Sequence, residues 1–187
     1  MGAFMLKQLH LPLSEKEILE LKTGDQVEIT GVVYTARDAA HKRFVELLEK
    51  GEKLPIDVNG GAIYYVGPTP ASPGRVIGSA GPTSSYRMDP YSEAMMKEGL
   101  KVMIGKGPRS EEYKKMLVKY KAVYLSAIGG AAASIGDSIK KCDLICYEDL
   151  GAEAVRRLEV EKFFAIVTYD AKGNDLFEDG IKQYQKI

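Results

Sequence analysis

The chain has 187 residues, is 45% hydrophobic and 28% charged, and sets 26 basic against 26 acidic residues for a formal net charge of zero. That length and apolar share fit a single domain with its own core, and the interspersed Lys and Glu lack the basic excess or stripe of a nucleic-acid binder. No apolar run approaches the roughly 18 residues needed to cross a bilayer, and Met1-Gly2-Ala3-Phe4 lacks the charged region, apolar stretch and cleavage site of a signal peptide, so a cytoplasmic protein is expected.

Residues 1–23 read as a preamble to the domain, with one short helix: Ser14-Glu15-Lys16-Glu17 is a capping box ahead of Ile18-Leu19-Glu20-Leu21. Val27-Glu28-Ile29-Thr30-Gly31-Val32-Val33 alternates as a strand does. Ala36 to Lys50 then carries Ala36, Ala40, Phe44, Leu47 and Leu48 on one helical stripe, with Gly51 as its stop. Ala62 to Val66 gives the second strand. After a long Pro/Gly loop and a helix started by Asp89-Pro90 and running through Glu98, a strand is expected at Lys101 to Ile104. A Ser110-capped helix with Tyr113, Met116, Leu117 and Tyr120 on one face follows, and then a strand at Ala122 to Ser126. Gly129 to Ile135 reads as a close-packed turn into a small helix, Leu144 to Tyr147 and Phe163 to Tyr169 as strands, and Phe177 to Gln185 as a closing helix. The fold class is α/β throughout.

The two cysteines, Cys142 and Cys146, stand four apart on an expected strand, where same-face residues lie more than ~12 Å apart. They cannot form a disulfide with each other there or share a metal, so buried free thiols are expected. His10 and His41 supply no ligand spacing either, so this chain is expected to hold no metal.

The most informative stretch is Gly81-Pro82-Thr83-Ser84-Ser85-Tyr86-Arg87-Met88-Asp89-Pro90-Tyr91, which puts a hydroxyl, a fixed cation and a carboxylate on one Gly/Pro-rich turn. It follows Gly67-Pro68-Thr69-Pro70-Ala71-Ser72-Pro73-Gly74 and Ile77-Gly78-Ser79-Ala80, segments that let main-chain N–H groups approach a ligand. A loop of that length is seldom an idle connector in a compact domain. With the start of the Asp89 helix nearby, the reading is an anion site.

In order along the chain, Ala36-Arg37-Asp38-Ala39-Ala40-His41-Lys42-Arg43, Gly67-Pro68-Thr69-Pro70, Ile77 to Asp89, Ile104-Gly105-Lys106-Gly107, Ile128 to Ala132, Leu158 to Glu161 and Asp170 to Asp175 resemble the class I fumarase and L-tartrate dehydratase family. The match is to the β subunit, equivalent to the C-terminal domain of the single-chain enzymes. The resemblance implies a swivelling β/β/α domain that completes an active site on an α subunit. That partner would carry an iron-sulfur (4Fe-4S) cluster on its own cysteines, and the assembly would be an α2β2 hetero-oligomer acting on a C4 dicarboxylate. It further implies that Arg37 and Arg87 bind substrate carboxylates, that Thr83 is a catalytic base paired with an aspartate of the α part, and that Lys106 is a site lysine, both catalytic and substrate-binding.

Fumarate and malate are the favoured substrate pair, tartrate the close alternative, with a methyl-substituted relative such as mesaconate also compatible. A non-catalytic dicarboxylate- or anion-binding module is the competing class. Taken without the resemblance, Arg37 beside Asp38 is a solvated ion pair, Arg87 with Asp89 braces a turn, Thr83 caps that turn and Lys106 lies on the surface. His41 stands one helical turn from Arg37 and is expected to be structural. Ser84, Ser85 and the stretch Glu153 to Arg157 depart from the family pattern.

Overall fold

The computed structural model describes residues 6–128 and 132–184. Its first strand, β1 (Leu6–His10), lies inside the stretch read as a preamble and pairs in parallel with β2 (Gln26–Thr35). Between them α1 (Glu15–Glu20) starts on the expected capping box, with Ser14 and Glu17 each bonding the other's main chain. After α2 (Asp38–Glu49), the strands β3 (Ala62–Tyr64), β4 (Val102–Gly105) and β5 (Val123–Ser126) continue the parallel sheet. The connections are α3 (Asp89–Lys97), entered through a 3-10 turn at Ser85–Met88, and α4 (Glu111–Tyr120), whose cap Ser110 accepts from the Tyr113 N–H.

The carboxyl-terminal third closes this sheet. Following α5 (Ala132–Ser138) and β6 (Ile139–Cys146), β7 runs from Val155 to Tyr169 and α6 (Leu176–Tyr184) ends the described chain. β7 lies antiparallel to β5 on one side and to β2 on the other, which joins β2, β3, β4, β5 and β7 into a small closed barrel, with β6 paired along the first half of β7. A strand serving both edges must bend, and it does so opposite Gly31, where the register slips and φ is +130°. The turn expected at residues 129–131 and Gln185, the last residue of the expected closing helix, lie outside the described residues.

Side-chain alternation divides the core in two. Ala62 and Tyr64, Val102 and Ile104, and Val123 and Leu125 point into the barrel with Val27, Ile29, Val33, Phe163, Ala165 and Val167. Their neighbours Ile63, Met103 and Tyr124 point outward, where Ala40 and Phe44 of α2, Met95 and Met96 of α3, and Tyr113 and Leu117 of α4 cover them. Strands buried on both faces read as unbroken apolar runs, which is why these short segments were visible in the sequence. Ile18 and Leu21 close the amino end of the barrel, while Ile77 and Ala80 of the long loop, with Ala127 and Ile135, close the carboxyl end. The result is a mixed α/β fold with its long loop lying across the carboxyl ends of the parallel strands, where open α/β sheets ordinarily bind ligands.

Candidate functional site

The site is built by the chain returning on itself past β3. Tyr65 donates its N–H to Ile104 and accepts from the Thr83 N–H, both at 2.8 Å, while Val66 bridges to Pro82. One residue later Ser84 bridges to Lys106: Ser85 N donates to the Lys106 carbonyl at 3.1 Å and Lys106 N donates to Ser85 Oγ at 3.0 Å. The segment from Pro82 to Ser85 is thereby laid along the ends of β3 and β4. Thr83 and Lys106, far apart in sequence, thus meet on one small framework, with Arg87 on the 3-10 turn that leads out of it.

Ser85 is the hub of that framework, a role the sequence reading missed. Its buried hydroxyl accepts from Lys106 N and from Tyr124 Oη at 2.9 Å, and lies 3.5 Å from the Thr83 carbonyl. Gly105 exists to make room for it. A Cβ there would overlap the Ser85 hydroxyl and come within 2.9 Å of the Tyr65 ring. Gly105→Ala should cost about 1 to 3 kcal/mol of stability by overpacking, measured by urea unfolding. A variant as stable as wild type would show that the approach of Ser85 is not needed.

Thr83 is half-buried, and its hydroxyl makes no hydrogen bond with the described residues. Arg87 and Lys106 are exposed and carry no ion pair among those residues. Arg37 stands apart on the N-cap of α2, its main chain held at the end of β2 by the neighbouring Ala36 N–H on the Tyr64 carbonyl. Its guanidinium is already engaged: Nη2 lies 3.0 Å from Glu153, Nε is 3.9 Å from Asp38, and Nε is buried without a hydrogen-bond partner among the described residues. The tighter partner is thus Glu153, at the end of a 3-10 turn (Glu148–Glu153), rather than the adjacent Asp38. Gly67 lets the group through, since a Cβ there would sit 3.2 Å from Arg37 Nη1.

Two other readings change. The turn brace expected between Arg87 and Asp89 is absent from the observed pairs; Asp89 instead takes Arg109 Nε and the Ser110 N–H, the latter at 2.9 Å. The cysteines are free as expected, but half-buried rather than buried, because β6 flanks the barrel and exposes part of each. Burial still pushes both thiols up. His41 is structural: buried, with Nδ1 donating to the Arg37 carbonyl at 2.8 Å and the ring packed against Phe44, Tyr65 and Tyr91.

None of Arg37, Thr83, Arg87 and Lys106 lines the cavity of about 450 Å³ between the Pro68–Ile77 loop and β6. Arg87 and Lys106 are exposed, whereas Arg37 and Thr83 are half-buried. Among the described residues no three His, Cys, Asp or Glu side chains are grouped to hold a metal, so the donors present here do not fit an iron-sulfur cluster. No described helix is long and apolar enough to cross a membrane.

Residues 4–180 match the family described as Fumarase C-terminus. The chain belongs to that family. Fumarate hydratase 1, mitochondrial, of Leishmania major is 40% identical over 178 residues, which is 93% of this chain and 32% of the relative. The putative L(+)-tartrate dehydratase subunit beta of Methanocaldococcus jannaschii is 40% identical over 182 residues, covering 94% of this chain and 93% of that subunit. The aerobic class I fumarate hydratase of Salmonella typhimurium is 36% identical, and the chain spans 31% of it. This fumarase C-terminal chain therefore corresponds to about a third of the longer fumarate hydratases and to nearly all of a β subunit. Within it, four of the segments that carried the resemblance, Ala36 to Arg43, Gly67 to Pro70, Ile77 to Asp89 and Ile104 to Gly107, fall at or after the carboxyl ends of β2, β3 and β4, while Leu158 to Glu161 lies in β7 and Asp170 to Asp175 directly follows it.

Proposed function

We propose that the chain is the β subunit of a hydro-lyase that adds water reversibly to fumarate, acting in the cytoplasm with an α subunit that holds a 4Fe-4S cluster. The observation that carries this reading is the Ser84–Lys106 bridge, which brings the Thr83 loop and Lys106 together at the ends of β3 and β4, with Lys106 and the nearby Arg87 exposed and in no ion pair among the described residues. Family membership supplies the reaction class. The exposed Arg87 and Lys106 support a site completed by another chain, and the barrel with helices packed on its outer side is compatible with a β/β/α domain that swivels against that chain.

The cluster stays with the partner, and this chain acts on carboxylates and protons alone. Arg87 would grip one carboxylate with its planar fork, staying charged at any working pH. Arg37 would take the other, exchanging Glu153 for substrate. Removing a proton from the carbon beside a carboxylate builds charge on that carboxylate, and the Lys106 ammonium would stabilise it. Thr83 Oγ would hold and pass the proton; a hydroxyl is too weak a base alone at neutral pH, so a partner carboxylate must relieve it. An α2β2 assembly follows the preference of soluble oligomers for closed symmetry.

Tartrate is the second substrate, favoured by the near-complete match to a subunit named for it. Both are C4 dicarboxylates that two arginines would clamp alike; the added hydroxyl would be read by the pocket walls. The test is turnover by the anaerobically assembled complex, following fumarate by ultraviolet absorbance and oxaloacetate from tartrate in parallel. Fumarate loss establishes the first reading, and oxaloacetate alone establishes the second. An intact cluster-bearing complex that turns over neither overturns both.

A further inference from the structure

Arg109 is buried, its side chain fully shielded from solvent. The ring of Tyr113 lies 3.5 Å below its guanidinium carbon, with those of Tyr124 and Tyr65 at 5.0 and 5.4 Å. Nε pairs with Asp89 and Nη2 donates to Ser92 Oγ at 3.1 Å, but among the described residues Nη1 is buried without a partner, as is the Tyr65 hydroxyl. Burying a charge is costly, and well-packed apolar side chains often replace such a group without loss of stability. Its value must lie in what it connects.

Its polar connections run toward the loops of Arg87 and Lys106. Asp89 stands two residues after Arg87. Ser92 donates to the carbonyl of Met88, the last residue of the 3-10 turn that bears Arg87. The main chain of Arg109 lies three residues beyond Lys106, and its N–H donates to Tyr169 Oη at 3.0 Å. Tyr169 stacks on Tyr124, whose hydroxyl holds Ser85 at 2.9 Å and the Gly107 carbonyl at 3.1 Å. The guanidinium is the crosspiece between the two loops.

We propose that Arg109 is a positioning residue that fixes the spacing between Arg87 and Lys106, and through it the geometry in which a dicarboxylate is gripped. This rests on the assignment of Arg87 and Lys106 to substrate binding. Lysine at 109 keeps the charge but loses the fork, so Arg109→Lys should fold while loosening the pair.

The experiment uses the complex with the α subunit and has two readouts. In hydrogen exchange, Arg109→Lys should speed the amides of Ser85 and Lys106, leaving β2 and β5 protected. In kinetics it should raise KM for the dicarboxylate about tenfold, since small misplacements of a binding group are costly, with a smaller change in kcat. In an Arg87→Ala background the same substitution should change KM less than about twofold, because it acts through Arg87. Arg109→Met removes the charge as well as the fork, and a KM raised at least as far as in Arg109→Lys supports the clamp. Equal KM factors in both backgrounds, or exchange rising throughout the barrel, would make Arg109 merely structural and overturn the proposal. If wild type turns over neither fumarate nor tartrate, the proposed function fails, and the exchange pattern alone decides for or against the positioning role.

Discussion

Thr83→Ala is expected to lower kcat of the assembled enzyme about a hundredfold or more while leaving KM within about twofold, the loss typical of a group that transfers a proton in the transition state. The position isolates chemistry from folding. Thr83 is fixed by its main chain, whose N–H bonds the Tyr65 carbonyl at 2.8 Å, and an alanine keeps that bond. Its hydroxyl supports none of the described structure, so thermal stability should hold. Arg87→Ala makes the contrast: exposed on its turn, it should raise KM about tenfold or more with the complex intact. Steady-state kinetics on both variants beside a melting curve separate the roles. Unchanged kcat in Thr83→Ala would remove the hydroxyl from the mechanism.

The parts of the fold legible in the sequence are those with one dominant local signal. The Ser14 capping box and the doubly buried runs of β3, β4 and β5 need no knowledge of their neighbours. β1 was invisible because only Leu9 of its five residues is buried, as befits an outer strand. β7 was seen only from Phe163 onward. Its inward positions are Leu158 and Val160, then Phe163, Ala165 and Val167, and the change of phase occurs at Lys162, where φ is +54°. A one-residue shift erases a period-two pattern in any window that spans it. The charges of Arg156, Arg157, Glu159 and Glu161 completed the disguise.

The candidate site divides in the same way. Thr83 and Arg87 share one loop, so a single composition signal marked both, while Lys106 came only with the family resemblance. The bridge that brings Lys106 to Ser84 spans 22 positions and is a tertiary fact. Arg109 left still less trace: in Lys106-Gly107-Pro108-Arg109-Ser110 an arginine between a turn and a helix cap reads as solvated, whereas Tyr65 just past β3, Tyr113 of α4 and Tyr124 of β5 enclose it. Asp89 was drawn toward Arg87 by proximity in sequence, yet the buried cation offers it the stronger field.

His41 should make the stability of this chain depend on pH between about 4 and 6.5. Burial lowers its pKa to about 4, against the opposing hydrogen bond to the Arg37 carbonyl; Arg109 lowers it further and Asp38 raises it. The folded imidazole therefore stays neutral where the unfolded one is already protonated. Below pH 6.5 the unfolded state binds more protons, so stability falls with pH until the folded group titrates as well, and the full difference is about 3 kcal/mol. Above pH 6.5 the contribution is complete. His41→Gln removes the titration and the ring packing together, so it should be less stable than wild type at pH 7. The gap should then shrink by about 3 kcal/mol as the pH approaches 4. Urea unfolding of both proteins across that range reads the gap directly, cancelling carboxylates common to the two. Parallel profiles would mean that the folded imidazole is protonated as readily as the unfolded one, and that the pocket formed by Phe44, Tyr65 and Tyr91 admits its charge.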